Sequence, residues 1–328
     1  MFFQEDSPIL HFEFFCGFRY FYLGMKEKIL SLNLYFGLTL FVFSSALLAL
    51  EVLFMKTWFY CFAWWSFILV VDSLNFRRKK RSPLSESPKR FFHMAFLSVL
   101  VWLVFELFNL RLKNWSYHDL PSNLLERWSG YFIAYASVIP ALREMSFFIE
   151  GFFENKKLSL FQVRITPFLL KLLAAIGWLF LFLSVCWPGL FFPLVWLCFF
   201  FLLEPLNFRL KNETLLEHQE RGDWQMIWSW IAAGLTAGFF WELWNFWAGS
   251  HWEYNLPYLD FWRVFQMPVF GYTGFMPFAL EIFAFDRLFS GLCTRLEGRK
   301  RLKNFIFSFL ILFYLGCFYL IDVFTLVR

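Results

Sequence analysis

The chain has 328 residues, of which 59% are hydrophobic and 17% charged, whereas soluble domains run at about 45–50% apolar and about 25% charged. That excludes an ordinary soluble globule. The net charge of +5 does not mark a nucleic-acid partner, because the positive residues gather in no single folded domain and no zinc-finger spacing or recognition helix can be read.

Along the chain, residues 1–24 are aromatic but carry Glu5, Asp6, Glu13 and Arg19, and Met25 followed by Lys26-Glu27-Lys28 reads as the more natural start. The expectation is an overlong N-terminal segment, residues 1–28, ahead of the membrane region. The first apolar block is long enough to stay in a bilayer and lacks a small-x-small exit, so no cleavable signal peptide is expected. Apolar stretches of about 20 residues, the length of a helical crossing, then recur at about 32–54, 57–75, 91–110, 129–150, 167–186, 189–207, 225–248, 264–288 and 304–325. The fold class expected is an all-α polytopic membrane protein with about nine transmembrane helices. Positive residues flanking spans stay cytoplasmic. Arg77, Arg78, Lys79, Lys80, Arg81, Lys89 and Arg90 follow span 2; Arg287, Arg295, Arg299, Lys300, Arg301 and Lys303 lie around the approach to span 9. Placing both inside gives a cytoplasmic N-terminus and an external C-terminus in a bacterial-type inner or plasma membrane.

An internal repeat organises the spans. Asp72-Ser73-Leu74-Asn75-Phe76-Arg77 reappears as Glu204-Pro205-Leu206-Asn207-Phe208-Arg209, and Phe105-Glu106-Leu107-Phe108-Asn109 as Trp241-Glu242-Leu243-Trp244-Asn245. The following loops match as well, Trp115-Ser116-Tyr117 with Leu120-Pro121 against Trp252-Glu253-Tyr254 with Leu256-Pro257; Pro140 and Glu144 correspond to Pro277 and Glu281. The matches keep one order at a nearly constant offset and include polar residues that apolar bias would not reproduce. They divide the chain into repeat 1 (29–155), repeat 2 (156–290) and a basic loop with a ninth span (291–328). Four spans per repeat is an even number, so both copies share one orientation, related by a pseudo-twofold along the membrane normal.

Glu106 with Asn109, and Glu242 with Asn245, are spaced i, i+3 and share a helix face. An unpaired ionised acid within a span costs about 2.5–3.5 kcal/mol on insertion scales and is retained with a partner or a purpose. Burial favours its protonated form, which can then act as an acid. Glu106 and Glu242 are therefore the candidate catalytic residues. Asn109, Asn245, Trp241, Trp244, Trp115, Tyr117, Trp252 and Tyr254 form the candidate substrate-binding set. The four loop rings fit an interfacial aromatic belt, with an aromatic lid over the acids as the alternative. Asp72, Asn75, Glu204, Asn207, Glu144 and Glu281 make a second polar layer toward the cytoplasmic side, where solvated charge pairs are the plainer reading. Pro268, Gly271, Gly274 and Pro277 make span 8 the candidate broken helix. No nucleotide, metalloprotease or serine-hydrolase motif is present, the histidines lack ligand spacing, and no cofactor or metal is expected.

The segment Phe240-Trp241-Glu242-Leu243-Trp244-Asn245 resembles the Trp-Glu motif in a helix of the small membrane-bound cyclases that act on meroterpenoids. The duplicated, aromatic and carboxylate-rich organisation is similar in kind to membrane lycopene cyclases. Glu204-Pro205-Leu206, however, reverses their Pro-then-acid order and lacks their paired acids. The resemblance implies that an intramembrane acid protonates an isoprenoid while aromatics shelter the carbocation, with Glu242 as donor and Glu106 as its repeat partner. The expected partners are membrane lipids and a lipophilic small molecule. A proton-coupled carrier and a structural membrane subunit remain alternatives. An enzyme predicts a lateral, lipid-facing opening onto the Glu106/Glu242 layer, a carrier predicts a path or two alternating vestibules joining the two polar layers, and a structural subunit predicts that all the acids are paired and no cavity exists.

Overall fold

The computed structural model describes residues 30–153, 159–259 and 261–327; the expectation for residues 1–24 lies outside them. Helices α1 (Leu30–Ala49), α2 (Leu53–Lys79), the short α3 (Pro83–Glu86) and α4 (Pro88–Leu112) lead to strand β1 (Trp115–His118), then α5 (Leu124–Tyr135) and α6 (Val138–Glu150). The second half runs α7 (Pro167–Cys186), α8 (Pro188–Phe191), α9 (Val195–Arg209), the short α10 (Leu215–Glu220), α11 (Gln225–Trp247) and strand β2 (His251–Tyr254). Strands β3 (Arg263–Val264) and β4 (Met267–Pro268) form a small hairpin, followed by a 3-10 segment (Val269–Gly274), α12 (Phe275–Arg295) and α13 (Lys300–Phe324). The chain is an all-α membrane protein, with two small two-stranded sheets among the described residues.

Among the described residues, seven helical segments are long and apolar enough to cross a bilayer: α1, α2, α4, α5–α6, α7, α8–α9 and α13. Nine were expected. The two that fall short are the seventh and eighth expected spans. Five tryptophans with Gln225, Glu242 and Asn245 reduce the apolarity of α11, and α12 carries Glu281, Asp286 and Arg287. The expected eighth span over 264–288 is also shorter as a helix. Its first eleven residues form hairpin and 3-10 structure, and α12 starts only at Phe275. Two other spans break and resume, the sixth between α8 and α9 and the fourth between α5 and α6. Pro140 is the third residue of α6, where its ring clashes with the carbonyl four residues back and no helical N–H is lost. Ser98 of α4 bridges the break, its hydroxyl donating to the Tyr135 carbonyl (2.6 Å) and accepting from the Ile139 N–H (3.0 Å). Pro277 holds the same third position in α12.

In lipid, apolar side chains gain little by leaving the bilayer for the protein interior, so helix association rests on close packing and buried polar bonds. Burial accordingly separates the helices. In α5–α6, 67% of the apolar window is buried, against 17% in α1 and α7, which present Phe43, Trp178 and Phe182 outward. α6, α11 and α12 occupy the centre, packed on one another and on α2, α4 and α9. Gly234 and Gly238 let α11 touch α12: a Cβ at Gly234 would stand 2.3 Å from the Phe275 carbonyl oxygen, and one at Gly238 2.3 Å from its ring.

The molecule has two chemically distinct ends. At one, Lys79 of α2 faces Glu150 of α6, and Arg287 of α12 binds Glu213 ahead of α10. At the other, β1 pairs antiparallel with β2, and the C-terminal residues add to β1 as Tyr117 N–H donates to Thr325 O (2.8 Å) and Val327 N–H to Tyr117 O (2.9 Å). These are called the basic end and the ribbon end below.

Candidate functional site at the ribbon end

The strands of the ribbon are held by the helices that precede them. Asn109, at the end of α4, donates to the Trp115 carbonyl (2.8 Å) and accepts from the N–H groups of Asn114 (2.8 Å) and Trp115 (3.2 Å). Asn245 of α11 does the same on the second strand, donating to the Trp252 carbonyl (2.8 Å) and accepting from its N–H (2.9 Å). Both carboxamides are thus committed to the strand backbone. Register pairs Trp115 with Tyr254, Ser116 with Glu253, Tyr117 with Trp252 and His118 with His251. Side chains alternate across a strand, so Trp115, Tyr117, Trp252 and Tyr254 share one face and Ser116, His118, His251 and Glu253 the other. The aromatic face is turned into the protein, with Trp115 and Tyr117 buried and Trp252 and Tyr254 half-buried. The loops form a roof rather than the outward belt that their composition first suggests.

Two cavities lie under this roof. The larger, about 200 Å³, is lined by Trp102, Asn114, Trp115, Tyr117, Trp196, Trp241, Trp252, Tyr254, Pro277 and Phe278 among others. The smaller, about 80 Å³, is lined by Tyr60, Trp102, Tyr117, Tyr131, Tyr135, Trp241 and Trp252 among others. Trp102, Tyr117, Trp241 and Trp252 belong to both, and the rings of Trp102 and Trp241 stand 5.1 Å apart between them.

The two acids stand behind phenols. Glu106 Oε1 accepts from Trp102 Nε1 (2.8 Å), Trp115 Nε1 (3.1 Å) and the Tyr117 hydroxyl. Glu242 Oε1 accepts from the Tyr254 hydroxyl alone, at 2.7 Å. In each acid the second oxygen is buried without a partner. Neither acid lines a cavity, whereas Tyr117 lines both and Tyr254 the larger, so each carboxyl communicates with the cavity through a hydroxyl. Tyr135 extends the first chain by donating to the Tyr117 oxygen (3.0 Å). Burial pushes both ribbon phenols above their ordinary range, and the facing acids add to this. Both phenols therefore keep their protons near neutral pH. Three donors converge on Glu106 and one on Glu242, so Glu106 is the better equipped of the two to hold negative charge.

The remaining expected residues divide. Trp241 lines both cavities; Trp244 packs edge-on against Trp64 at 4.7 Å and lines neither. None of the second polar layer enters either cavity; Asp72, Asn75, Glu204, Asn207 and Glu144 lie toward the basic end, whereas Glu281 is one turn along α12 from the cavity-lining Phe278. Asp72 accepts from the Leu84 N–H and Glu204 from the Leu216 N–H, both at 3.1 Å, fixing the first turns of α3 and α10. Asn75 donates to the carbonyl (2.9 Å) and the carboxylate (2.8 Å) of Glu144. Asn207 donates to the Ala284 carbonyl (2.8 Å), and Glu281 accepts from the Phe199 N–H (2.7 Å). Sequence reasoning missed Trp102, Tyr131, Tyr135, Trp196 and Asp322. Trp102 was within reach, being four residues before Glu106 on the same helix face. Asp322 binds Arg127 through both oxygens (2.8 and 2.6 Å) and also accepts from Trp128 (2.9 Å) and Tyr131 (3.1 Å); as an acid inside a span it warranted notice.

Among the described residues, no group of three or more His, Cys, Asp or Glu is placed to hold a metal ion. No family model, curated protein or solved structure matches this chain.

Proposed function

We propose that this chain is a membrane-embedded enzyme that isomerises or cyclises a lipophilic, isoprenoid-like substrate by protonation in the larger ribbon-end cavity. The observation that carries this reading is that Tyr254, backed by Glu242, and Tyr117, backed by Glu106, line one cavity half of whose other lining residues are aromatic. For this step the Glu242–Tyr254 bond runs in reverse: protonated Glu242 donates to the Tyr254 oxygen and passes its proton there as the Tyr254 hydroxyl proton, turned toward the cavity, moves to a substrate double bond or epoxide oxygen. The positive carbon that results faces the π-surfaces of Trp102, Trp115 and Trp241, which attract cations. Loss of a neighbouring proton through Tyr117 to Glu106 forms the new double bond. A weak base suffices for this step, because a proton next to a carbocation is strongly acidic. Water exclusion keeps the intermediate from being quenched. Net, one proton enters and one leaves, and a proton exchange between the two acids restores the enzyme.

The carrier alternative needs a route from these acids to the second polar layer. Phe105, Ile139, Ile282 and Phe283 are fully buried in the helices that join the two ends, and the second-layer acids line neither cavity. The structural-subunit alternative is disfavoured by the cavities and by the unpartnered carboxyl oxygens. The repeat is part of the same reading. The offset that aligns Tyr117 with Tyr254 maps the ribbon register onto itself about the Ser116–Glu253 pair, as a pseudo-twofold would. The repeat also relates the Asn109 and Asn245 bonds and the Asp72 and Glu204 caps. We read α11 and α12 as crossings too, giving two four-span halves and nine crossings, with the basic end cytoplasmic.

The test is conversion of polyprenyl and epoxy-polyprenyl lipids in nanodiscs made up in D2O, scored as deuterium incorporated into product. Glu242→Gln and Tyr254→Phe should each lower the rate by about 10²-fold or more, the usual contribution of a positioned acid. Unchanged incorporation in both folded variants would sink the proposal; loss of proton flux in liposomes without loss of conversion would favour the carrier.

A further inference from the structure

We infer that the β3–β4 hairpin is seated among lipid chains at the ribbon-end face of the bilayer and forms the side gate through which a lipid-soluble substrate reaches the larger cavity. The inference rests on the cavity being a lipophile site, as proposed above.

The first observation is what the hairpin shows to its surroundings. Trp262 is 79% exposed, and Tyr258, Phe261, Val264, Val269 and Phe270 are between 42% and 54% exposed. Residues 261–270 contain one charged side chain, Arg263, whose guanidinium reaches back to the Tyr254 carbonyl (3.5 Å). A water-facing loop so rich in large apolar groups would be an aggregation liability. At a bilayer interface, tryptophan and tyrosine are the favoured residues.

The second is backbone conformation. Tyr258, Trp262 and Phe265 all have positive φ, at 51°, 47° and 56°. Glycine or asparagine takes up this conformation at lower cost. Large rings kept at three such positions point to a role for the rings themselves.

The third is position. The hairpin's neighbours form the cavity wall: Leu256, Leu259, Met267, Phe270 and Gly271 all line the larger cavity. The Tyr258 hydroxyl donates to the Leu190 carbonyl of α8 (2.6 Å), which places the segment leading into the hairpin beside the end of α7, while Phe265 at the hairpin turn packs on the outward rings of Phe239 and Phe246 of α11 (5.8 and 5.6 Å). Trp178, Phe182 and Leu190 are all more than half exposed there, on segments apolar enough to span a bilayer, as is Trp187 between those segments. The hairpin therefore continues an apolar surface that lipid chains would cover in a bilayer, which identifies its occupant. By the offset that matches Pro140 with Pro277, residues 261–272 stand where α5 stands in the first half. There α5 packs on α2 and α4, whereas β3 and β4 pair with each other and β4 packs on the 3-10 segment. One cavity has a packed helix beside it and the other a light hairpin.

The experiment places an NBD fluorophore on Trp262→Cys, and in a second protein on Asp119→Cys at the exposed tip of the ribbon, in full-length chains whose six native cysteines are replaced by alanine. Both are reconstituted in phosphatidylcholine vesicles with or without 5-doxyl lipid, and helicity is checked by circular dichroism. The label at 262 should emit at shorter wavelength, be quenched by the doxyl lipid and be shielded from aqueous iodide; the label at 119 should show the reverse. A label at 262 that iodide reaches, or that neither quencher reaches because protein covers it, overturns the inference. In the deuterium assay, Trp262→Asp should lower kcat/KM about tenfold with kcat unchanged; unchanged kcat/KM overturns the gate. Failure here would leave the Glu242 and Tyr254 results intact. Failure of those variants to alter turnover would reject the enzyme reading whatever the depth of the hairpin.

Discussion

At the residue scale, the basic end offers the plainest titration. Glu213 accepts from Arg287 (2.7 Å) and lies 3.3 Å from His218 Nε2, while Asp223 lies 3.2 Å from His218 Nδ1. The hydrogen bond with His218 is the main influence holding the Glu213 carboxyl down to about 2, and the same bond raises the imidazole above its ordinary value. A raised histidine contributes stability that is fully present below its unfolded value, about 6.5, and is lost as pH rises through the higher folded value. A depressed carboxyl contributes stability present above its unfolded value, about 4.5, and lost as pH falls toward 2. Both contributions are in place between about pH 5 and 6.5. Amide protection across α10, measured by hydrogen exchange, should therefore be greatest in that window and decline above it, and His218→Ala should remove the decline. An unchanged slope in the variant would refute the assignment. Residue-scale legibility depended on locality. The Glu-Asn pairs could be read because i, i+3 spacing and strand alternation are set within a few residues. Asp322 with Arg127, and Tyr135 with Tyr117, are long-range meetings that no local pattern announces.

At the element scale, the approach of α11 to α12 depends on the absence of side chains at Gly234 and Gly238. Gly234→Ala puts a methyl against backbone oxygen, which cannot rotate aside, so the helices must separate. Overpacking of this kind costs about 1–3 kcal/mol, readable as a lowered unfolding temperature in detergent. Gly130→Ala, where nothing lies within 4 Å of the added carbon, is the control and should leave that temperature nearly unchanged. The same elements explain the eighth span. Pro277 did mark a helix start, as Pro140 does, but apolarity over 264–274 was compatible with both helix and hairpin. The choice was made by backbone turns at Trp262 and Phe265 that composition does not encode. The fourth span was the reverse case, since its break is capped by Ser98 from another helix.

At the scale of the whole molecule, α13 is more than an appended crossing. Asp322 and Arg127 are both buried and joined by two short bonds. Removing one partner of such a pair strands the other charge at about 3–5 kcal/mol. Asp322→Ala should therefore lower stability by that order, and Asp322→Ala with Arg127→Met should recover much of it; a double variant no better than the single one would refute the pairing as the cause. Because Tyr131 bonds to Asp322 (3.1 Å) and stacks on Tyr135 (5.8 Å), the change also loosens the wall of the smaller cavity. That α13 is a span could be read from hydropathy, but its contact with the wall of the smaller cavity could not.

Strand β1 has consequences for biosynthesis. Tyr117 is flanked by Trp252 on one side and by Leu326 on the other. A chain emerging from the ribosome has made Glu106 and its tryptophan donors long before either neighbour exists. The first half must then wait in the bilayer with both edges of β1 unpaired. The roof is complete only once residues 251–254 and 325–327 have both been made, so the cavities beneath it are finished late in synthesis.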